Sequence, residues 1–303
     1  MYRTKDAEIL ILGAGGQLGK QLLLVFNEKK TDLGTIPIFF NRANVTAVDV
    51  DLVDITKPQD CYSLIQPGKF DIVFNCAAYT NVDQCERDPE RAMLINCIGA
   101  RNVALACAKA DATLVYLSTD YVFSGDQLYS YREWDLCNPQ SIYAKSKYWG
   151  EKHVLEICKK YFIIRTAWLY GYYGNNFVKT ILKRANLGAN LRVVNDQIGN
   201  PTNASDMVHH VLKLAATKQY GIYHCTGNGK CSWYEFAVKI LEYSRTPCKI
   251  EPCSTEESGY AARRPQYSDL DNLMLRCTVG DEMRHWEDAL KSFLSHYKLY
   301  EAQ

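Results

Sequence analysis

Gly13-Ala-Gly-Gly-Gln-Leu-Gly19 follows directly on the apolar run Ile9-Leu-Ile-Leu12 and opens a stretch with Leu18, Leu22 and Val25 at helical spacing. The pattern predicts a buried strand over 8–12, a tight turn and an amphipathic helix over 17–27. Glycine at 13, 16 and 19 meets three needs of such a turn: a sharp reversal, close approach of backbone to a pyrophosphate, and close packing of helix on sheet. The first helical turn then offers unpaired N–H groups to a phosphate. Gly13, Gly16, Gln17, Leu18 and Gly19 are therefore expected against a dinucleotide.

The rest of the first half suits the same sheet. Short β-rich runs at 36–40, 46–49, 72–76, 113–118 and 162–166 alternate with helix-length patterns at about 89–110 and 141–160. Asp88 is set to cap the first of these helices and Pro89 to open it. Such alternation implies right-handed crossovers and helices on both faces, an α/β fold built on a Rossmann-type, doubly wound parallel sheet. Beyond Trp168 the texture shifts to aromatics, glycine and asparagine, with a helix near 177–185, a strand at 191–194 and a helix at about 205–216. The 303 residues divide into a dinucleotide-binding domain over 1–167, resumed at about 195–217, and a smaller, mostly C-terminal α/β substrate domain over 168–303, interleaved with it.

Charge and composition narrow the partners. Lys and Arg total 35 against 34 Asp and Glu, a net charge of +1, so no basic excess speaks for nucleic acid. No apolar run approaches the ~18 residues of a membrane span. The N-terminus carries no leader-like apolar region, and a soluble, cytoplasmic location is expected. Twelve cysteines include no Cys-x-x-Cys pair and read as reduced, largely core residues. Adjacent His209 and His210 diverge on a helix and would not share a metal; a solvated face is expected there, and no metal site is expected.

Two further constellations carry chemistry. After the second expected strand, where an acid would bind the ribose 2′-hydroxyl of NAD, stands Phe39-Phe40-Asn41-Arg42. Asn41 brings no charge to repel a 2′-phosphate and Arg42 offers a guanidinium to pair with one, which favours NADPH over NADH. Further on, Ser118-Thr-Asp-Tyr-Val-Phe-Ser-Gly125 precedes Tyr143-Ala-Lys-Ser-Lys147. Positions 143 and 147 stack on one helix face. A phenol ionises near ~10, and a neighbouring ammonium draws that value toward neutrality, as a general acid requires. Thr119, at a strand end, can hydrogen-bond a carbonyl or alkoxide. Thr119, Tyr143 and Lys147 are the expected catalytic residues.

This arrangement resembles the extended short-chain dehydrogenase/reductases. Asn75-Cys-Ala-Ala78 is similar to their cofactor-lining Asn-Ala-Ala-Ala element, and Asp54-Ile55 to their adenine-contacting pair. More narrowly, Ser118-Thr-Asp-Tyr-Val-Phe, Gly174-Asn-Asn-Phe177, Asp196-Gln-Ile-Gly-Asn-Pro-Thr202 and Arg263-Arg-Pro-x-x-Ser268 follow the order seen in the dTDP-4-dehydrorhamnose reductase family. The likeness runs over about residues 9–270. It implies NADPH- or NADH-dependent reduction at C4 of a nucleotide-linked 6-deoxy-4-keto sugar. Tyr143 would be the proton donor, and Lys147 would hold the nicotinamide ribose and depress the Tyr143 pKa. It further implies Asp54, Ile55, Ala77, Ala78 and Tyr79 at the cofactor, Thr119, Asp120 and Trp168 at the sugar, and Asn176, Gln197 and Arg264 at the nucleotide-sugar end. A diphosphate there needs a fixed cation. A homodimer is compatible with the family.

The chain departs from the family pattern at Ala144, where many members have glycine, at Cys76 in place of alanine, and in the aromatic stretch Tyr129-Ser-Tyr-Arg-Glu-Trp134. Two alternatives stand beside reduction. A sugar-nucleotide epimerase or dehydratase shares the scaffold, but dehydratases carry an acidic pair where this chain has Asp120 followed by Tyr121. A non-catalytic regulatory subunit of methionine adenosyltransferase also belongs to the family; intact Thr119, Tyr143 and Lys147 favour catalysis over it.

Overall fold

Six strands form the central sheet: β1 (Glu8–Leu12), β2 (Asn44–Val48), β3 (Ile72–Asn75), β4 (Thr113–Thr119), β5 (Tyr161–Thr166) and β6 (Gly221–His224). Their spatial order is β6-β5-β4-β3-β1-β2, and every neighbouring pair is parallel. Strand order reverses between β1 and β3, the switch point outside which ligands bind in sheets of this kind. The computed structural model describes residues 6–301; the first five residues of the stretch read for a leader lie outside that range. Among the described residues no helix is long and apolar enough to cross a membrane.

The main helices are α1 (Gln17–Glu28), α2 (Pro89–Met93), α3 (Ala100–Ala110), α4 (Ile142–Ile157), α5 (Phe177–Asn186), α6 (Ala204–Ala215), α7 (Trp233–Ser244) and α8 (Trp286–Glu301). On one face of the sheet, Leu18, Leu22 and Val25 of α1 and Met207, Val208 and Val211 of α6 pack with Ile9, Ile11 and Phe74. On the other, Val103 and Cys107 of α3 and Val154 of α4 cover Leu10, Leu12 and Val73. Alternate residues of β1 thus enter opposite layers, which is why the run is apolar throughout. Arg165 of β5 bonds Glu151 of α4 through Nε and Nη2 at 3.0 and 2.8 Å, a buried charge pair that ties α4 to the sheet.

After β5 the chain leaves this sheet. Strands Leu191–Val194 and Ile250–Cys253 pair in parallel, and α5, α7 and α8 gather Ile181, Phe236, Ile240, Leu290 and Phe293 into a separate core. The chain returns with α6 and β6, so the returning segment runs on to His224, past position 217. On this basis we propose the two-part, interleaved division.

Three local expectations are corrected. Residues 36–40 are not a strand; Ile38–Phe40 is a 3-10 turn begun by Pro37, with Phe40 buried edge-on against Phe26 at 5.7 Å. The 89–110 helix is interrupted by a π-helical turn over Leu94–Gly99. His209 and His210 are buried rather than solvated: His209 Nδ1 lies 2.9 Å from Thr31 Oγ1, and His210 Nε2 accepts the Glu282 N–H at 2.9 Å.

Candidate active site

β1 ends at Leu12, and Gly13 turns the chain with φ of 73°. A Cβ at Gly13 would stand 2.6 Å from Ala77 N, so only glycine lets this turn press on the loop after β3. α1 opens at Gly16 with no side-chain cap, leaving N–H groups for an anion. Beside it lies a cleft of about 490 Å³ lined by Gly13 and Gly16, by Asp49 and Val50 after β2, by Asp54 and Ile55, and by Ala77, Ala78 and Tyr79 after β3. Both amide atoms of Asn75, buried at the end of β3, lack partners. A glycine cradle, an uncapped helix and an orphaned amide at the switch point fit a dinucleotide.

Not every expected cofactor residue faces the cleft with its side chain. Gln17 Nε2 donates to Leu169 O at 3.2 Å and Gln17 Oε1 accepts from Asn176 at 3.0 Å, so this amide braces the loop after β5. Leu18 is buried in the core, and Gly19 packs against Ala14. The Asp54 carboxylate accepts the N–H and hydroxyl of Thr56 at 3.0 and 2.7 Å, and the Thr56 bonds hold its pKa low.

Asn41 and Arg42 are removed from the site altogether. They precede β2 rather than follow a sheet strand, and Arg42 Nε pairs with Asp6 Oδ1 at 3.2 Å, ahead of β1. That is the end of the sheet opposite the glycine turn. The residue that does follow β2 is Asp49, whose two oxygens accept the N–H groups of Gly15 and Val50 at 2.7 and 2.8 Å.

Ser141 caps α4 by accepting the Ala144 N–H at 3.2 Å, which sets Tyr143 and Lys147 in its first two turns. Tyr143 stands edge-on to Tyr121, ring centres 5.9 Å apart. Thr119 Oγ1 donates to Asp120 Oδ1 at 2.9 Å and accepts the Tyr121 N–H at 3.2 Å. Burial raises the Tyr143 pKa, opposed by the Thr119 hydroxyl, so the net shift is upward rather than toward neutrality as expected. The Lys147 ammonium is buried 4.2 Å from the centre of the Tyr116 ring. Its pKa is lowered by burial to about 8, with Glu151 acting against the shift. Burial raises Asp120 to about 6, opposed by hydrogen bonds from Ser268 and Thr119.

Asn96, in the π-helical turn, was missed in the sequence. It accepts the Tyr79 N–H at 2.7 Å and donates to Tyr79 O at 2.9 Å and Ser146 Oγ at 3.0 Å. Ser146 in turn donates to Tyr143 O at 2.8 Å. The cofactor loop and the helix carrying Tyr143 are thereby coupled. A lone asparagine inside an otherwise apolar helical stretch was the only signal.

The other expected substrate residues fall into two places. Gly125, with φ of 82°, abuts Pro265, and its carbonyl accepts the Tyr267 N–H at 3.1 Å. Ile198 N–H donates to Gln266 O and Ser268 N–H to Ile198 O, each at 2.8 Å. Segments 118–125, 196–202 and 263–268 thus form one wall. Trp168, at φ of 47°, stacks on Trp233 at 3.6 Å and fills the space that a Cβ at Gly199 would enter. Arg264 Nη2 pairs with Asp83 at 2.8 Å and its guanidinium lies 3.5 Å from the Tyr260 ring centre, while its buried Nε has no partner. Gln197 donates to Thr255 Oγ1 at 2.9 Å. Asn176 lies apart from this wall, beside Gln17. It caps α5 and donates to Gln17 and Gly171, so its amide is used within the protein.

Residues 7–299 match the RmlD substrate binding domain family. The chain is 41% identical to spore coat polysaccharide biosynthesis protein SpsK of Bacillus subtilis over 95% of its own length and 96% of that protein. It is 36% identical to dTDP-4-dehydrorhamnose reductase of Aggregatibacter actinomycetemcomitans, covering 96% of this chain and 99% of that one. Its structure is similar to that of dTDP-4-dehydrorhamnose reductase from Bacillus anthracis in complex with NADP. The TM-score is 0.90 at 43% identity, over 96% of this chain and all (100%) of that one. The chain belongs to the RmlD family, the family of the dTDP-4-dehydrorhamnose reductases.

Proposed function

We propose that this protein uses NADPH to reduce the C4 keto group of a nucleotide-linked 6-deoxy-4-keto sugar, dTDP-4-dehydro-L-rhamnose or a close analogue, with Tyr143 as proton donor. The observation that carries the reading is Tyr143 edge-on to Tyr121, two residues beyond the strand-end Thr119, with Lys147 one turn further along the same helix. NADPH as reductant is supported by the Bacillus anthracis relative, whose structure holds NADP.

Gly13, Gly16 and the open end of α1 would hold the pyrophosphate, with Asp54 and Ile55 beside the adenine and Ala77 to Tyr79 along the other wall. When bound, the dinucleotide supplies the hydride taken up by the carbonyl carbon. Thr119 would hold the carbonyl oxygen by a hydrogen bond, and Tyr143 Oη would give that oxygen its proton. The Lys147 ammonium would stabilise the phenolate left behind and hold the nicotinamide ribose. Asp120 and Trp168 would contact the sugar. The partnerless Nε of Arg264 is the donor we assign to the diphosphate, and Gln197 the neighbouring amide.

Tyr121, where a dehydratase would carry its second acid, supplies a phenol with a pKa raised by burial, and so favours reduction over elimination of water. Mixing the purified protein with NADPH and the keto sugar tests this. Loss of reduced nicotinamide matched mole for mole by reduced sugar is expected. Conversion of sugar without net loss of NADPH would mean an epimerase or dehydratase instead.

A further inference from the structure

We infer that Arg91 takes the 2′-phosphate on the adenosine ribose and that it, not Arg42, sets the preference for NADPH; the inference rests on the reductase reading above. With Arg42 at the far end of the sheet, the extra phosphate of NADP needs another cation. A phosphate dianion in a cleft is matched best by a guanidinium, which pairs with it through two parallel N–H donors.

The cleft beside the glycine turn has two walls that are fixed to that turn. Asp49 stands on one, held by its bond from Gly15 N–H at 2.7 Å. Tyr79 stands on the other, two residues beyond Ala77, against which Gly13 is pressed. Arg91 lines the same wall as Tyr79, and among the described residues lining the cleft it is the only cation. Its position is set at both ends. Asp88 accepts the Arg91 N–H at 3.1 Å at the start of α2, and the guanidinium lies 5.0 Å from the centre of the Tyr79 ring.

That contact has a chemical consequence. An aromatic face holds a guanidinium through its flat side and leaves the N–H donors at its edge free for an anion. Arg91 forms no ion pair with a carboxylate among the described residues. Asp49 follows β2, where an acid would take the ribose 2′-hydroxyl, but its two oxygens are held by the N–H groups of Gly15 and Val50, and the Asp54 carboxylate is held by Thr56. The cleft therefore contains one uncommitted cation, and NADP differs from NAD by one anion.

Titration calorimetry with NADP⁺ and NAD⁺ on the wild type, Arg91→Ala and Arg91→Lys tests the assignment. Arg91→Ala should weaken NADP⁺ roughly 10- to 100-fold, the loss of charged hydrogen bonds, while NAD⁺ changes by less than about twofold. Arg91→Lys should recover part of the affinity for NADP⁺, since it keeps the charge and loses the fork. Equal weakening of both dinucleotides would reduce Arg91 to a support for Tyr79 and overturn the inference, as would unchanged binding of NADP⁺. A wild-type protein that takes up neither dinucleotide would overturn the reductase reading itself, and Arg91's role with it.

Discussion

Asp120 is buried, its carboxylate bonded to Thr119 and eased by a further hydrogen bond from Ser268. Desolvation lifts its pKa to about 6, whereas an unfolded aspartate titrates near ~3.9. The folded state therefore carries the full cost of a buried charge above pH 6, and the cost fades as pH falls from there toward ~4, where both states are neutral. Asp120→Asn should raise unfolding free energy at neutral pH by on the order of 1–2 kcal/mol, with the gain shrinking through that window in denaturant titrations. No gain at neutral pH would mean that the hydrogen bonds from Thr119 and Ser268 offset the cost of burying the charge. At this scale the sequence was most legible where spacing alone fixes a residue's place on its element. Tyr143 and Lys147 lie in the first two turns of α4 and Thr119 ends β4, as the spacing placed them. Arg42 misled because its meaning depends on which end of the sheet it occupies, and that follows from the strand assignment around it.

Elements were legible in proportion to their length. The apolar runs of β1, β3, β4 and β5 and the helices α1 and α4 lie within a residue or a few of expectation. Ile36-Pro-Ile-Phe-Phe40 has strand composition, yet Pro37 and the burial of Phe40 against Phe26 turn it into a 3-10 segment. Strands of two residues, such as Ile198–Gly199 and Cys231–Ser232, are too short for any periodicity to register. Helix α6 was found, but the burial of its histidines was not, because their partners Thr31 and Glu282 are distant in sequence. Burial holds both imidazoles below their ordinary value. An unfolded histidine titrates near ~6.5, so their contribution to stability is whole above that pH and is lost as pH falls below it. His210→Gln keeps an acceptor for the Glu282 N–H and does not titrate. It should flatten the decline in Tm between about pH 6.5 and 5, and an unchanged decline would mean that His210 is not the acid-sensitive group.

For the molecule as a whole, local pattern revealed the change of texture after β5 but not how the two parts combine. Segments 118–125, 196–202 and 263–268 are far apart in the chain and meet only through backbone bonds such as Ser268 N–H to Ile198 O. No propensity encodes such contacts. On the proposed reading the assembled molecule divides its labour: β1 to β3 build the cleft for the dinucleotide, the ends of β4 and α4 carry the proposed donor Tyr143, and Asn96 joins them. If that division is right, the donor's proton can be removed without disturbing the cleft. The direct measurement is kcat of Tyr143→Phe on the keto sugar, taken together with its Kd for NADPH. The account predicts a fall in kcat of roughly 10²- to 10⁴-fold with Kd nearly unchanged. Turnover close to that of the wild type would contradict it.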